Sequence, residues 1–232
     1  MLRSLRLTLK SNIFSKNNVT VIEGKIMNNK KLDLSELFGK TVKQDERIFS
    51  KQLVNVHELY LSGEIESSEE YIQWFDTIRH AGETDVIKIY INSPGGDVFT
   101  AIQFMRALQE TSANVVMSVE GLCASAATMI MLCGDSFEIS EHSMFMFHNY
   151  SGGAIGKGGE MFDQLKYERV WSEKLLVDTY GGFLTEEEIT SMLDNRDIWM
   201  DGEEVIKRLT KKKEAMEAAE EAEKTKKKPA KK

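Results

Sequence analysis

The sequence predicts an α/β fold with a mostly parallel sheet. Three observations carry this. Short apolar runs of strand character alternate with stretches of helical period between residues 56 and 209. The runs are rich in β-branched residues, as in VIKIYI over 86–91. Two of the runs end in a small-residue turn that opens a helix, the strand-to-helix handover of parallel α/β units.

The elements follow in order. HELYLSGEI, 57–65, is a strand in which Leu59 and Leu61 alternate with Tyr60, and Gly63 turns the chain. Ser67, Ser68, Glu69 and Glu70 open a helix on which Tyr71, Trp74, Phe75 and Ile78 recur at helical spacing. VIKIYI is a buried strand that enters a turn at NSPGG, 92–96. Val98, Ile102, Met105 and Leu108 mark an amphipathic helix. Val115–Val119 is a strand ending at Gly121, and Ser125 opens the apolar segment SAATMIML, which stops at Gly134. MFMFH, 144–148, is a strand with Met144, Met146 and His148 on one face. A Gly-rich stretch follows, then a long helix to about Tyr180, ended by Gly181 and Gly182. Thr185 caps a short helix with Glu188 at the capping-box position. Asp201–Leu209 is a last core helix, followed by a helix-prone tail with no apolar stripe.

The chain has 232 residues, 41% hydrophobic and 29% charged, enough for one sizeable core. No apolar run is long enough to span a bilayer, so no membrane is expected. Cys123 and Cys133 lie ten apart, which is neither a disulfide framework nor a metal-binding pair. The net charge of −7 is unevenly placed: residues 1–22 and 210–232 carry +4 each, leaving −15 on 23–209. An acidic body argues against nucleic acid as a partner, because phosphate binding needs a basic surface. The patterning divides the chain into an N-terminal extension, 1–50, a patterned body, 51–209, and a Lys/Glu-rich tail, 210–232. Residues 1–16 are acid-free and rich in Arg, Lys, Ser and Leu, the composition of a mitochondrial presequence; LRLTL within them fits a short strand equally well. The cytoplasm is the expected location, with mitochondrial import the alternative.

Phosphate-cradling G-x-x-x-x-G-K-[ST], dinucleotide-binding G-x-G-x-x-G after a strand, H-E-x-x-H and the nucleophile elbow G-x-S-x-G are all missing. Two segments do carry chemistry, INSPGGDV over 91–98 and EGLCASAAT over 120–128. Adjacent glycines after Pro94 permit a sharp turn with exposed amide N–H groups. Ser125 stands where a strand hands over to a helix, among Ala124, Ala126 and Ala127, so its hydroxyl stays accessible. A nucleophile beside backbone donors fits that place; so does a plain N-cap. His148 ends a strand just before a Gly-rich segment, in a rigid position beside open space. His57, His80 and His142 have no such setting.

YINSPGGDV, then GLCAS, then MFMFHN followed by GGAIG resemble, in order and spacing, the proteolytic subunit of the Clp protease. The resemblance runs from about Val56 to Leu209. It implies the ClpP/crotonase-like fold, a repeated ββα superhelix with a protruding handle helix. It implies a serine endopeptidase with Ser125 as nucleophile, His148 as general base, and the N–H groups of Gly96 and Ala126 as the oxyanion hole. The family's third member is an Asp after the long helix. Asp194 takes that place if a one-residue gap is assumed; Asp197 is the alternative. Gly95 and the handle residues Gly152, Gly153, Ala154 and Ile155 are implied to hold the substrate backbone.

The resemblance further implies protein or peptide substrates, a homo-oligomer of stacked heptameric rings, and an AAA+ unfoldase that uses ATP; this chain itself needs no cofactor. The sequence departs from the pattern where Ala126 replaces a Met and where His148-Asn149-Tyr150 replaces His-Gln-Pro. The extension and the tail are departures too, and they bear on docking and assembly. A Clp-like protease of phage head maturation, a crotonase-type acyl-CoA enzyme and a catalytically silent ring subunit are the alternative readings.

Overall fold

The computed structural model describes residues 15–16, 19–22 and 54–226. The LRLTL segment, most of the 1–50 extension and the last six residues lie outside the described residues. Eight strands and six α-helices are described. They are β1 (Ser15–Lys16), β2 (Val19–Ile22), β3 (Val56–Ile65), α1 (Ile72–His80), β4 (Val86–Gly96), α2 (Val98–Glu110) and β5 (Asn114–Ala124). Then come α3 (Ala126–Met131), β6 (Ser136–Ser140), β7 (Met144–Phe147), α4 (Gly158–Tyr180), α5 (Glu186–Leu193), β8 (Ile198–Asp201) and α6 (Gly202–Lys226). A 3₁₀ turn, Ser68–Tyr71, leads into α1.

All eight strands belong to one sheet, ordered β1-β2-β6-β5-β4-β3, with β7 pairing β5 and β8 pairing β7. The pairs β3–β4, β4–β5, β5–β6 and β5–β7 are parallel. The β1–β2, β2–β6 and β7–β8 pairs are antiparallel. The expected mostly parallel α/β architecture is therefore present. Along β5, residues 116–119 pair with β6 and residues 122–124 pair with β7. One strand thus serves two neighbours on the same side, and the sheet divides where β5 passes Gly121.

The strands run further than their apolar runs. Gly63 does not turn the chain: it has φ +87° at a register shift between Ser62 and Glu64, and β3 continues to Ile65. NSPGG is not a free turn. It stays in β4, where Glu64 pairs with Gly95 and Ile65 with Gly96. Likewise β5 passes Gly121 to reach Ala124, while β7 stops at Phe147, one residue short of His148. In β3, β4 and β5 pairing to a neighbouring strand outweighs a weak local signal, whereas β7 ends where its own pairing ends. Two strands, β6 and β8, have apolar runs too short for periodicity to reveal. The last helix begins at Gly202 and extends to Lys226, beyond Leu209. Asp201 Oδ1 accepts from Glu204 N at 2.9 Å at its start.

One face of β4 is buried, through Ile87, Ile89, Ile91 and Ser93. The other is half-covered rather than buried: Lys88 pairs with Glu138 at 2.8 Å, and Tyr90 stacks on Tyr60 with centroids 4.6 Å apart. Phe75 and Ile78 of α1 and Phe104 and Leu108 of α2 belong to the same buried core as that face. Phe75 and Phe104 meet edge-to-face at 4.7 Å, with Tyr71 and Trp74 around them. This packed body fixes the ends of β4 and β5, and those two ends build the site.

Candidate active site

Gly95 and Gly96 end β4, and Ser125 follows β5 immediately, so parallel pairing brings the two segments side by side. Ser93 pairs with Cys123 in that ladder. The approach is close enough to require glycine. A Cβ on Gly95, where φ is +97°, would lie 2.6 Å from Ser125 Cβ and 2.8 Å from the Ala124 carbonyl oxygen. Ser93 is fully buried, and its Oγ accepts from Gly95 N at 3.1 Å, which ties the turn to itself.

Ser125 occupies the N-cap position of α3, but its side chain makes no capping bond. The backbone there has φ 54° and ψ −130°, a conformation L-residues rarely hold. Its hydroxyl instead meets His148: Ser125 Oγ and His148 Nε2 lie 2.6 Å apart. The capping alternative is thereby set aside in favour of a Ser–His contact. With the imidazole neutral and its proton on Nδ1, Ser125 is the donor and Nε2 the acceptor. His148 reaches this place because β7 pairs with β5 from Leu122↔Met144 to Ala124↔Met146. Ser125 N then donates to Met146 O at 2.8 Å, which sets the serine beside the end of β7.

Ala126 is the first residue of α3, and the first N–H groups of a helix have no intrahelical acceptor. Gly96, with φ +148°, packs directly against Ile65; a Cβ there would stand 2.3 Å from the Ile65 carbonyl oxygen. Ser125, His148, Gly96, Ala126, Gly152 and Gly153 line one cleft of about 400 Å³. Met129, Leu176 and Tyr180 give it apolar walls, and Glu168 of α4 adds a carboxylate. Ala154 and Ile155 lie outside that lining, and Ile155 is fully exposed. Residues 148–155 join no strand among the described residues.

The two acidic candidates differ in position. Asp194 closes α5, and Asn195 after it has φ 63°. Asp197 directly precedes β8. The antiparallel register runs from Met144↔Asp201 to Phe147↔Ile198 and ends there, with His148 the next residue on one strand and Asp197 the residue before the other. Neighbouring Asn149 fastens the same stretch: its Nδ2 donates to Leu193 O at 3.3 Å and to Asn195 Oδ1 at 3.2 Å.

Two further residues were not singled out from sequence: Thr128, which bonds the Ser125 backbone, and Tyr180, which bonds Thr128. Thr128 Oγ1 donates to Ser125 O at 2.7 Å and lies 2.7 Å from Tyr180 Oη. The local half of this was legible, since a Thr three residues into a helix can reach back to the cap carbonyl. The Tyr180 half spans 52 positions and had no local signal. Cys123 is buried and Cys133 half-buried, and loss of solvation pushes the Cys123 thiol up and raises Cys133 to about 12. Neither is a competing nucleophile. No helix among the described residues is long and apolar enough to cross a membrane.

The chain is similar to known proteins. The proteolytic subunit 2 of an ATP-dependent Clp protease from Treponema denticola is 27% identical over 169 residues, 70% of this chain and 83% of that protein. A proteolytic subunit 1 from Chlamydia caviae is 27% identical over 68% of this chain and 85% of its own length. A Bacteroides fragilis proteolytic subunit is 35% identical over 77 residues, 32% of this chain and 37% of that protein. A family model described as Clp protease matches residues 42–208. The chain therefore belongs to the Clp protease family, and with it to the serine-type endopeptidases.

Proposed function

We propose that the chain hydrolyses peptide bonds with Ser125 as nucleophile and His148 as general base. The observation that carries this is the 2.6 Å contact between Ser125 Oγ and His148 Nε2, made by a serine whose side chain caps nothing. His148 takes the hydroxyl proton as Ser125 attacks the carbonyl carbon. The Gly96 and Ala126 N–H groups receive the oxyanion. His148 then gives its proton to the leaving amine, and water releases the acyl group by the same route. Asp197 is the acid we place behind His148 Nδ1, in preference to Asp194, on the β7–β8 register. An acid there holds the productive tautomer and stabilises the imidazolium. Each oxyanion donor is worth about 3 kcal/mol of barrier.

The substrate backbone lies along Gly152–Ile155 with Gly95 beneath it, as an added strand on an unpaired segment. The similar proteins are described as proteolytic subunits of ATP-dependent proteases. By analogy this chain works in the cytoplasm as an oligomeric chamber fed by a separate ATP-dependent unfoldase, with no cofactor of its own. The test is labelling of the full chain with an active-site-directed fluorophosphonate, read by intact mass and peptide mapping. One adduct on Ser125 is expected, lost in Ser125→Ala and His148→Ala, with peptide hydrolysis falling about 10⁶-fold in Ser125→Ala. A folded parent chain that takes no label overturns the reading.

A further inference from the structure

The backbone at Ser125 has to be held in place. A non-glycine residue at φ 54° and ψ −130° costs on the order of 1–3 kcal/mol and persists only when its surroundings fix it. Three contacts do so. Ser125 N donates to Met146 O at 2.8 Å. Ser125 O accepts from Thr128 N at 2.9 Å and from Thr128 Oγ1 at 2.7 Å.

Threonine hydroxyls that donate to an earlier carbonyl are ordinary in this chain. Thr77, Thr179, Thr190 and Thr210 all do so, each to the residue four before it. Thr128 differs in two ways. Its acceptor is the carbonyl of the proposed nucleophile, at the cap position, and it has a second partner in Tyr180 Oη. A hydroxyl has one proton. Thr128 spends that proton on Ser125 O, so Tyr180 must be the donor to Thr128 Oγ1. Burial acts in the same direction: it pushes the Tyr180 phenol well above its usual range, which keeps the donor proton in place. Thr128 is 0% and Tyr180 1% exposed, so water does not compete for either group.

The consequence lies in the next peptide unit. A trans peptide is planar, and its C=O and N–H point in opposite directions. Fixing the Ser125 carbonyl therefore fixes the direction of the Ala126 N–H, the proposed oxyanion donor. Tyr180 also packs edge-on against Phe147, at 5.5 Å and 87°, and Phe147 directly precedes His148. One side chain at the end of α4 thus braces both halves of the Ser–His pair.

We propose that Tyr180 and Thr128 are positioning residues: the chain from Tyr180 Oη–H to Thr128 Oγ1–H to Ser125 O=C clamps the Ser125–Ala126 peptide and aims its N–H at the oxyanion. This rests on the peptidase reading. It assigns the two hydroxyls a role in the transition state and none in substrate binding. Their loss is felt in kcat and in affinity for a peptide aldehyde, whose tetrahedral adduct uses the same donor.

The test uses the full-length protein in its native assembly, a fluorogenic peptide and a peptide aldehyde. Thr128→Val lowers kcat by about 10–100-fold, leaves KM near the parent value and weakens the aldehyde in proportion. Tyr180→Phe keeps the ring packing on Phe147 and has a smaller effect of the same kind. The double variant is no worse than Thr128→Val alone, because the phenol acts only through Thr128. Thr128→Ser restores the donor and recovers kcat. Unchanged kcat in both single variants overturns the proposal. So does an additive double variant, or a fall in kcat that only follows a fall in melting temperature. If Thr128→Val does not fold, Tyr180→Phe decides by the same kcat, KM and aldehyde readouts. A folded parent chain that neither labels nor hydrolyses overturns the peptidase reading first and takes this proposal with it.

Discussion

Catalytic capacity in this protein comes down to where a few small atoms stand. Ser125 is freed from capping by its backbone conformation and so meets His148. Gly95 permits the contact because any side chain there would collide with Ser125. Serine, histidine and glycines were all legible as residue types in the right order. The acid was not, because two aspartates stand three positions apart and nothing local separates them. The β7–β8 register ends at Phe147↔Ile198, next to Asp197 and three residues further from Asp194, and this is the basis for proposing Asp197. Asp197→Asn is expected to lower kcat by about 10⁴-fold with the fold intact. Asp194→Asn, at an exposed helix end, leaves peptide hydrolysis near the parent rate. Steady-state kinetics of the two purified variants, with circular dichroism as the folding control, distinguishes them, and the reverse result moves the acid to Asp194.

At the scale of elements, α5 shows a local signal that tertiary packing then put to further use. Thr185 and Glu188 form the capping box read from the sequence, with bonds of 2.9 and 3.2 Å. Glu188 also accepts a two-pronged bond from Arg208 of α6, at 2.6 and 2.9 Å, and Arg208 Nε reaches Glu204 at 2.7 Å. The Arg208 guanidinium, more than any other group, holds the Glu188 carboxyl below its ordinary 4.5. A depressed carboxylate contributes stability that is full above its unfolded pKa and is lost as the pH falls through the folded one. The melting temperature is therefore expected to fall on acidification below about pH 4.5. Arg208→Gln removes about 1–2 kcal/mol at neutral pH and flattens that part of the acid slope. Thermal melts of both proteins between neutral pH and pH near 3 check this. An acid slope in Arg208→Gln as steep as in the parent would contradict it.

The whole molecule pairs a closed core with an unusually open helix. Among the described residues of α4, the first two-thirds is solvent-facing, with Phe162, Tyr167 and Val170 each at least two-thirds exposed; Ser172, Leu176 and Tyr180 are buried near its end. Exposed apolar side chains clustered on one element mark a surface for association. The proposed chamber gives them a partner in another copy of the chain. Sedimentation velocity is expected to show a discrete oligomer, and Phe162→Glu together with Val170→Glu to yield a smaller species that still binds a fluorophosphonate less efficiently. A monomeric parent chain would remove the chamber from the reading while leaving the Ser125 chemistry open to direct assay. The charge distribution fits the same division. The acidic body between 23 and 209 holds the site, and the two basic ends lie at its periphery in sequence.

By itself the sequence determined the α/β class, the order of the main strands and helices, and Ser125 and His148 as a candidate pair. These depend on local properties: β-branched runs, helical period, small-residue turns and motifs in fixed order. Tertiary structure alone decided how far β3, β4 and β5 extend past their glycines, and that β6 and β8 exist at all. It also decided that Tyr180 reaches Thr128 across 52 positions, and it supplied the β7–β8 register on which Asp197 is proposed. The physical reason is the same in each case. Strand pairing and buried hydrogen bonds are contacts between residues distant in sequence, and their free energy has no counterpart in the local chain.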